Sequence, residues 1–155
     1  MREDFMRRAL EMAVVNVRKG LGGPFAALVV RDGNIVGEGT NLVTSAVDPT
    51  AHAEIMAIRD ACRQLGKFQL TGCDLYTSCE PCPMCLGAVY WARVDRVFYA
   101  ASQRDAAEAG FDDAFIYREM TLPRSQREIP MGQVLGEDGG RPFAAWELFE
   151  GRVEY

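Results

Sequence analysis

The sequence predicts a single α/β domain spanning residues 1–155, in which helices and strands alternate around one sheet. Apolar residues recur at helical spacing between residues 3 and 19, which indicates an opening helix. The continuous apolar run FAALVV (25–30) is typical of a buried strand, and RVFYAA (96–101) predicts another strand of this type. The length suits one ordinary domain, and 48% hydrophobic with 25% charged residues is the balance of a globular protein.

The first half of the chain predicts a helix, a hairpin and a second helix. The opening helix is closed by KGLGGP, and its inner face is formed by Phe5, Ala9, Met12, Ala13, Asn16 and Val17. Strand 25–30 turns at Asp32-Gly33 and returns as strand 35–41. A helix within DPTAHAEIMAIRDACRQLG then ends at Gly66, and one of its faces carries Ile55, Ile58, Cys62 and Leu65.

The second half continues the alternation and then weakens. Strand 73–78, a helix within CPMCLGAVYWARV and strand 96–101 form a β-α-β unit, so a right-handed crossover should make these strands parallel. The segment RDAAEAGFDDAFIYREM is partly helical in pattern, and residues 121–142 indicate a loop with a short strand at QVL. RPFAAWELFEG predicts a last helix, with an apolar stripe of Phe143, Trp146 and Phe149.

Composition excludes several classes of function. No apolar run approaches the roughly 20 residues of a membrane helix, and the N-terminus has acids and bases before any apolar run. We therefore expect a cytoplasmic protein with no membrane partner. The net charge is −5 and no basic cluster stands out, which argues against a nucleic-acid substrate because phosphate contacts need a basic surface.

The five cysteines are best interpreted as thiols or metal ligands, because disulfides are rare in the cytoplasm. Cys82 and Cys85 form P-C-x-x-C, and the single histidine, His52, lies 30 residues earlier in PTAHAE. Both motifs fall at predicted helix N-termini, where the helix dipole favours a thiolate. One imidazole and two thiolates match a catalytic zinc site, which uses three protein ligands and leaves one position for water.

Glu54 completes the pattern, because it lies two residues after His52 in the first helical turn. There its carboxylate can take a proton from the water of a zinc site without being a ligand. H-x-E followed by P-C-x-x-C is the signature of zinc nucleobase deaminases. A C-x-x-C redox pair is the weaker alternative, because H-x-E has no place in it. A purely structural zinc site also stays open, with Cys79 as a fourth ligand.

These motifs resemble the cytidine and deoxycytidylate deaminase superfamily, and within it the small bacterial guanine deaminases. The resemblance rests on GGPFAALVV, DPTAHAEIMAIRDAC, YTSCEPCPMCLGAVYWARV, DAAEAGFDDAFIYREM and FAAWELFEGRVEY. It implies a three-layer α/β/α fold with a mixed five-stranded sheet and one Zn²⁺ per subunit. It also implies hydrolysis of guanine to xanthine and ammonia by a homodimer.

Chemistry and the resemblance together suggest contacts for a purine base. Phe25 could stack on the ring, Asn41 could bond a base edge, and Trp91 could line the pocket. Each also has a purely structural interpretation, as a core aromatic, a turn asparagine or a residue under the sheet.

The resemblance selects two further contacts, and a carboxylate also suits the N–H donors of guanine. By the resemblance, Asp113 accepts hydrogen bonds from the guanine N–H groups and relays a proton, and Glu119 lies behind it. Tyr155 closes the pocket. A solvated loop acid and a frayed terminus are the alternatives for Asp113 and Tyr155. The apolar stripe of residues 141–155 motivates the hypothesis that this segment is exchanged between the subunits of a dimer.

Two other deaminase classes share the zinc motifs. A tRNA adenosine deaminase would need a surface for a folded RNA loop, and the acidic balance counts against it. A cytosine or cytidine deaminase would lack the GFDD segment by the same resemblance.

Overall fold

A computed structural model describes residues 2–111 and 113–155 of the chain. Its α-helices are α1 (Glu3–Arg18), α2 (Ala53–Leu65), α3 (Pro83–Trp91), α4 (Gln103–Glu108), α5 (Ala114–Thr121) and α6 (Arg141–Leu148). Its strands are β1 (Ala26–Arg31), β2 (Asn34–Thr40), β3 (Cys73–Cys79) and β4 (Arg96–Ala101), and a short 3-10 helix covers Arg124–Gln126. The predicted order α-β-β-α-β-α-β is confirmed.

The strands form one mixed sheet in the order β2-β1-β3-β4. Strand β1 is antiparallel to both of its neighbours, and β3 is parallel to β4, as the predicted crossover requires. The expectation of a fifth strand is wrong for the residues that the structure describes, which contain four. Residues 133–135, the predicted QVL strand, have no strand pairing. Three residues between two glycines offer too little length for a stable strand.

The sheet lies between two helical layers within residues 1–115. Alternate residues of β1 point to opposite faces, as the twofold repeat of a strand dictates. Leu28 and Val30 pack with Phe5 and Ala9 of α1. Ala27 and Val29 pack on the other face, against α2 and α3. The α/β/α arrangement that the resemblance implies is therefore present.

Two glycines bring α2 unusually close to the sheet. A Cβ atom at Gly39 would lie 2.3 Å from the Ala53 carbonyl oxygen and 2.3 Å from the Ala57 nitrogen. A Cβ atom at Gly37 would lie 2.6 Å from the Ala61 nitrogen. The helix backbone therefore rests directly on β2, and this contact fixes the height of the N-terminus of α2 above the sheet.

The chain divides into two compact units, residues 1–115 and 116–155. The second unit contains most of α5, the 3-10 helix and α6. Within it, Glu128 N donates to Glu119 Oε2 at 2.7 Å, and Arg127 Nε donates to the Leu122 carbonyl at 3.1 Å. Side chains from residue 131 to the end are exposed. In the described part of the chain, no helix has the length and apolar character to cross a bilayer.

Candidate active site

One edge of the sheet gathers the residues singled out by the sequence. At this edge Ala26, the first residue of β1, pairs with Thr40 at the end of β2. Beside it, the end of β3 at Cys79 pairs with the end of β4 at Ala101. The loops that leave these strand ends lead to the N-termini of α2, α3 and α4, so side chains at the helix starts converge here.

His52, Cys82 and Cys85 meet at this edge. His52 is the N-cap residue of α2, and Cys82 is the N-cap residue of α3, with proline at the next position. Neither side chain caps its own helix, so both are free to point beyond the helix ends. Cys85 lies in the first turn of α3 and is fully buried. The spacing of C-x-x-C therefore places both sulfur atoms on the same side of one helix N-terminus.

The three ligand atoms have the spacing that zinc requires. His52 Nδ1 lies 3.6 Å from Cys82 Sγ and 3.5 Å from Cys85 Sγ, and all three atoms are within 4.8 Å of one another. Tetrahedral zinc, with Zn–S near 2.3 Å and Zn–N near 2.0 Å, separates such atoms by about 3.5 Å. The donor set and its spacing fit a zinc ion with three protein ligands.

The pKa values of the Cys82 and Cys85 thiols are shifted in opposite directions. The hydrogen bond from Cys85 lowers the pKa of Cys82 to about 4, and a further bond to His52 acts in the same direction. The hydrogen bond to Cys82, together with burial, raises the pKa of Cys85. The bond to Cys82 also raises the pKa of His52. Both sulfur atoms would bind a metal ion as thiolates, so metal binding would release the proton of Cys85.

Glu54 lies beside this group and is not part of it. It belongs to the first turn of α2 and is only 6% exposed. Its Oε2 atom lies 3.4 Å from Cys85 Sγ, and burial raises its pKa. A buried carboxyl with a raised pKa can both accept and return a proton, which is the behaviour of a general acid–base group.

Cys79 does not join the three ligands within the part of the chain that the structure describes. Its Sγ donates to the Ser102 carbonyl at 3.7 Å, and burial raises its pKa to about 11. Its sulfur is hydrogen-bonded to a backbone carbonyl and lies outside the group of three ligand atoms. The structure therefore favours three protein ligands over the alternative of a closed structural site with four.

Phe25 and Asn41 are brought together on one side of the site. Asn41 N donates to the Phe25 carbonyl at 3.0 Å, directly beyond the pairing of β1 with β2. The Phe25 ring contacts Phe111 edge to face, with centroids 4.9 Å apart. Asn41 is buried, and Phe25 is half-buried. Both residues are thus fixed at the strand edge, and Phe111 adds an aromatic neighbour that the sequence did not suggest.

Asp113 is held by a residue that the sequence analysis missed. Gln103 Nε2 donates to Asp113 Oδ1 at 3.1 Å, and Gln103 N donates to Glu80 Oε2 at 3.0 Å. Gln103 opens α4 directly after β4, and its two bonds hold Asp113 close to Glu80, the residue that follows β3. The charge of Asp113 is near enough to contribute to the raised pKa of His52. Asp112, the other acid of GFDD, lies outside the described residues.

Two of the predicted base contacts, Trp91 and Tyr155, are exposed side chains. Trp91 is the last residue of α3 and is 63% exposed. Six residues separate it from Cys85, which corresponds to about 9 Å along the helix axis. Tyr155 ends the second unit and is 71% exposed. Their predicted contacts with a base stay predictions.

The sequence matches a known protein family and several characterised proteins. Residues 1–101 match the family described as the cytidine and deoxycytidylate deaminase zinc-binding region. A guanine deaminase of Bacillus subtilis (strain 168) is 57% identical over 153 residues, which are 99% of this chain and 98% of that protein. A tRNA-specific adenosine deaminase of Aquifex aeolicus is 41% identical over 100 residues, 64% of this chain and 66% of that protein.

A solved structure extends the likeness to the whole fold. The X-ray structure of guanine deaminase from Bacillus subtilis matches with a TM-score of 0.97 at 56% sequence identity. The match covers 100% of this chain and 99% of that one. It therefore includes residues 102–155, which lie beyond the region that the family description matches.

Proposed function

This chain belongs to the cytidine and deoxycytidylate deaminase family, and on that basis we propose that it hydrolyses guanine to xanthine and ammonia. The observation that carries the proposal is 57% identity with a guanine deaminase over 99% of the chain. The tRNA-specific adenosine deaminase shares only 64% of the chain, at lower identity. The likeness to guanine deaminase thus reaches the C-terminal third, where the deaminase classes are expected to differ.

His52, Cys82 and Cys85 would hold one zinc ion. Their ligand atoms have the spacing of a tetrahedral site, and the family is a zinc-binding one. When bound, zinc lowers the pKa of a water molecule and stabilises negative charge as it develops. The helix N-termini of α2 and α3 add partial positive charge on the same side, which favours the two thiolates.

Glu54 is the proposed proton carrier. Its Oε2 atom lies close to the ligand group, yet the carboxyl is left outside it. As the water oxygen bonds to C2 of guanine, Oε2 takes one proton from the water and delivers it to a ring nitrogen. Oε2 then takes the remaining proton of the C2 hydroxyl and delivers it to the amine, the C2–N bond breaks, and ammonia and xanthine result. Because Glu54 is buried, bulk water cannot easily replace it in these transfers.

Three side chains in the first unit would recognise the base. The Phe25 ring supplies an apolar face, and Phe111 holds that ring at its edge. Asn41 bonds a polar edge of the purine. The Asp113 carboxylate, oriented by Gln103, accepts hydrogen bonds from the guanine N–H groups and can pass a proton toward the amine. Guanine presents the N–H donors that such a carboxylate needs.

Trp91 and Tyr155 remain proposed contacts, and the dimer is proposed with them. In α6, Phe143 is 71% exposed and Phe149, directly after the helix, 57%. Burying such a stripe against a second subunit is favourable. We propose a homodimer in which residues 141–155 are exchanged, so that Tyr155 reaches the partner's site. Light scattering on the zinc-loaded protein tests this, and a fully active monomer would rule it out.

Ammonia release from zinc-loaded protein tests the reaction. The substrate panel contains guanine, adenine, cytosine, cytidine, guanosine and an adenosine-containing anticodon stem-loop. The expected result is release from guanine, with xanthine as the product. Release from the stem-loop alone would overturn the proposal in favour of a tRNA deaminase. Cys85→Ala protein, purified in parallel, is the control for contaminating host deaminases, because it lacks one proposed ligand.

A further inference from the structure

An asparagine interrupts the apolar buried face of α1. That face consists of Phe5, Ala9, Ala13 and Asn16, and Asn16 is only 2% exposed. Its Oδ1 atom is buried and has no hydrogen-bond partner among the described residues. An unpaired buried acceptor is costly, so an apolar residue would suit packing better. The reason for an amide at this position must therefore lie in the hydrogen bonds of its Nδ2 atom.

The Asn16 side chain ties two separate segments together. Its Nδ2 atom donates to the Gly23 carbonyl at 2.9 Å and to the Asn41 carbonyl at 2.8 Å. Gly23 lies in the loop that leads into Phe25, and Asn41 directly follows β2. The two N–H groups of the Asn16 amide thus hold the backbone at Gly23, next to Phe25, and the backbone at Asn41.

The tie also orients the Asn41 side chain. Asn41 Oδ1 accepts from Gly23 N at 3.2 Å and from Val43 N at 3.3 Å. Its Nδ2 makes no hydrogen bond with any described residue, so this donor remains for a ligand. Because Gly23 takes part in both interactions, a shift of the loop would rotate the amide of Asn41.

The loop at residues 22–25 is also packed tightly against Asn41. A Cβ atom at Gly22 would lie 2.1 Å from the Asn41 carbonyl oxygen, the same atom that accepts from Asn16. The backbone of the loop is therefore pressed against Asn41 from one side while Asn16 holds it from another. Such a contact leaves a single arrangement of loop and strand end.

We propose that Asn16 is a positioning residue that fixes the loop at residues 22–25 against Asn41, so that Asn41 Nδ2 is presented to the substrate base. This inference rests on the proposed function, because it takes the base as the ligand that Asn41 meets. Asn16 itself contacts no substrate. It acts through Asn41 and through the loop that carries Phe25.

A double-mutant cycle tests the inference. Asn16→Leu, Asn41→Ala and the double variant are measured as zinc-loaded protein, with kcat and KM determined separately. The base used is whichever one of the panel the wild type turns over fastest, so that failure on guanine is distinguished from failure of this inference. Asn16→Leu should lower kcat/KM about 10- to 100-fold, mainly by raising KM, with normal zinc content. The loss of kcat/KM caused by Asn16→Leu should be at least about fivefold smaller when Asn41 is already alanine. Mutations at independent sites deviate from additivity by only about twofold, so a fivefold difference indicates coupling.

Two further variants keep the test decisive. Phe5→Leu perturbs the same buried face at its other end, next to Tyr76, and should lower the melting temperature without raising KM. Asn16→Ser retains one donor and is the substitute if the leucine variant does not fold. Equal losses in both Asn41 backgrounds, or an unchanged KM in Asn16 variants, would overturn the inference and leave Asn16 as a core residue.

Discussion

Replacing Glu54 by glutamine tests the chemistry most directly. The change removes one ionisable oxygen and keeps the size of the side chain. Glu54 Oε2 lies 3.4 Å from Cys85 Sγ but outside the group of three ligand atoms, so the variant should fold and keep its zinc. Burial raises the pKa of Glu54, and a neutral amide carries no comparable cost of burial.

The size of the loss follows from the position of the carboxyl. A positioned acid or base contributes about 10²- to 10⁴-fold to a rate. Glu54 is proposed to accept and to return protons, and it is 6% exposed, so solvent is a poor substitute. We therefore expect kcat to fall about 10⁴-fold, equivalent to about 5.5 kcal/mol of barrier. KM should change little, because no base contact is removed.

The assay combines xanthine formation with metal analysis of the same preparation. Glu38→Gln is the matched control, because Glu38 is an exposed glutamate on β2 that pairs with Arg8, and it should retain full activity. Glu54→Gln protein with normal zinc and activity within tenfold of wild type would refute the role of Glu54 as proton carrier. Loss of zinc from this variant would show instead that Glu54 is a ligand.

Three further predictions concern metal, packing and pH. Cys85→Ala should purify with almost no zinc and no activity, which elemental analysis and the xanthine assay measure; full zinc content would contradict the ligand assignment. Gly39→Ala should lower the free energy of unfolding by about 1–3 kcal/mol, because its Cβ atom meets helix backbone, whereas Gly87→Ala, with open space around it, should not. Hydrogen bonds from Ser102 lower the pKa of Asp105 in the folded protein. Asp105 therefore stabilises the fold above its unfolded pKa of about 3.8. This stabilisation is lost as the pH falls through the lower folded pKa. Urea unfolding of Asp105→Asn should therefore differ from wild type more at pH 7 than at pH 3, and an equal gap at both would contradict it.

The metal-site geometry could be predicted from sequence because short motifs impose it locally. His52 and the C-x-x-C pair each open a helix, and helix geometry alone brings their side chains past the helix ends. The hairpin at Asp32-Gly33 was equally local, since both residues adopt the positive φ angles that its turn demands. The parallel pairing of β3 with β4 followed from a general rule of chain connection.

The supporting contacts could not be predicted, because they join residues far apart in the chain. Asn16 fell on the predicted apolar face of the first helix, and a polar residue there was the only signal of its bonds to Gly23 and Asn41. Gln103 gave no signal at all, since its bond to Asp113 depends on where β4 ends. The fifth strand was an inference from resemblance, and the pattern at residues 133–135 was too short to decide it.

The single histidine of the chain gives the site its own reporter. Since His52 is the chain's one imidazole, an untagged sample labelled with ¹⁵N yields imidazole-nitrogen resonances from this residue alone. Its chemical shifts distinguish a protonated ring from a neutral or metal-bound one, at the atom that lies 3.5 Å from Cys85 Sγ. Metal binding, its release in acid and the binding of a base can therefore be followed at the proposed metal site in the unaltered protein, and the imidazole signals need no assignment.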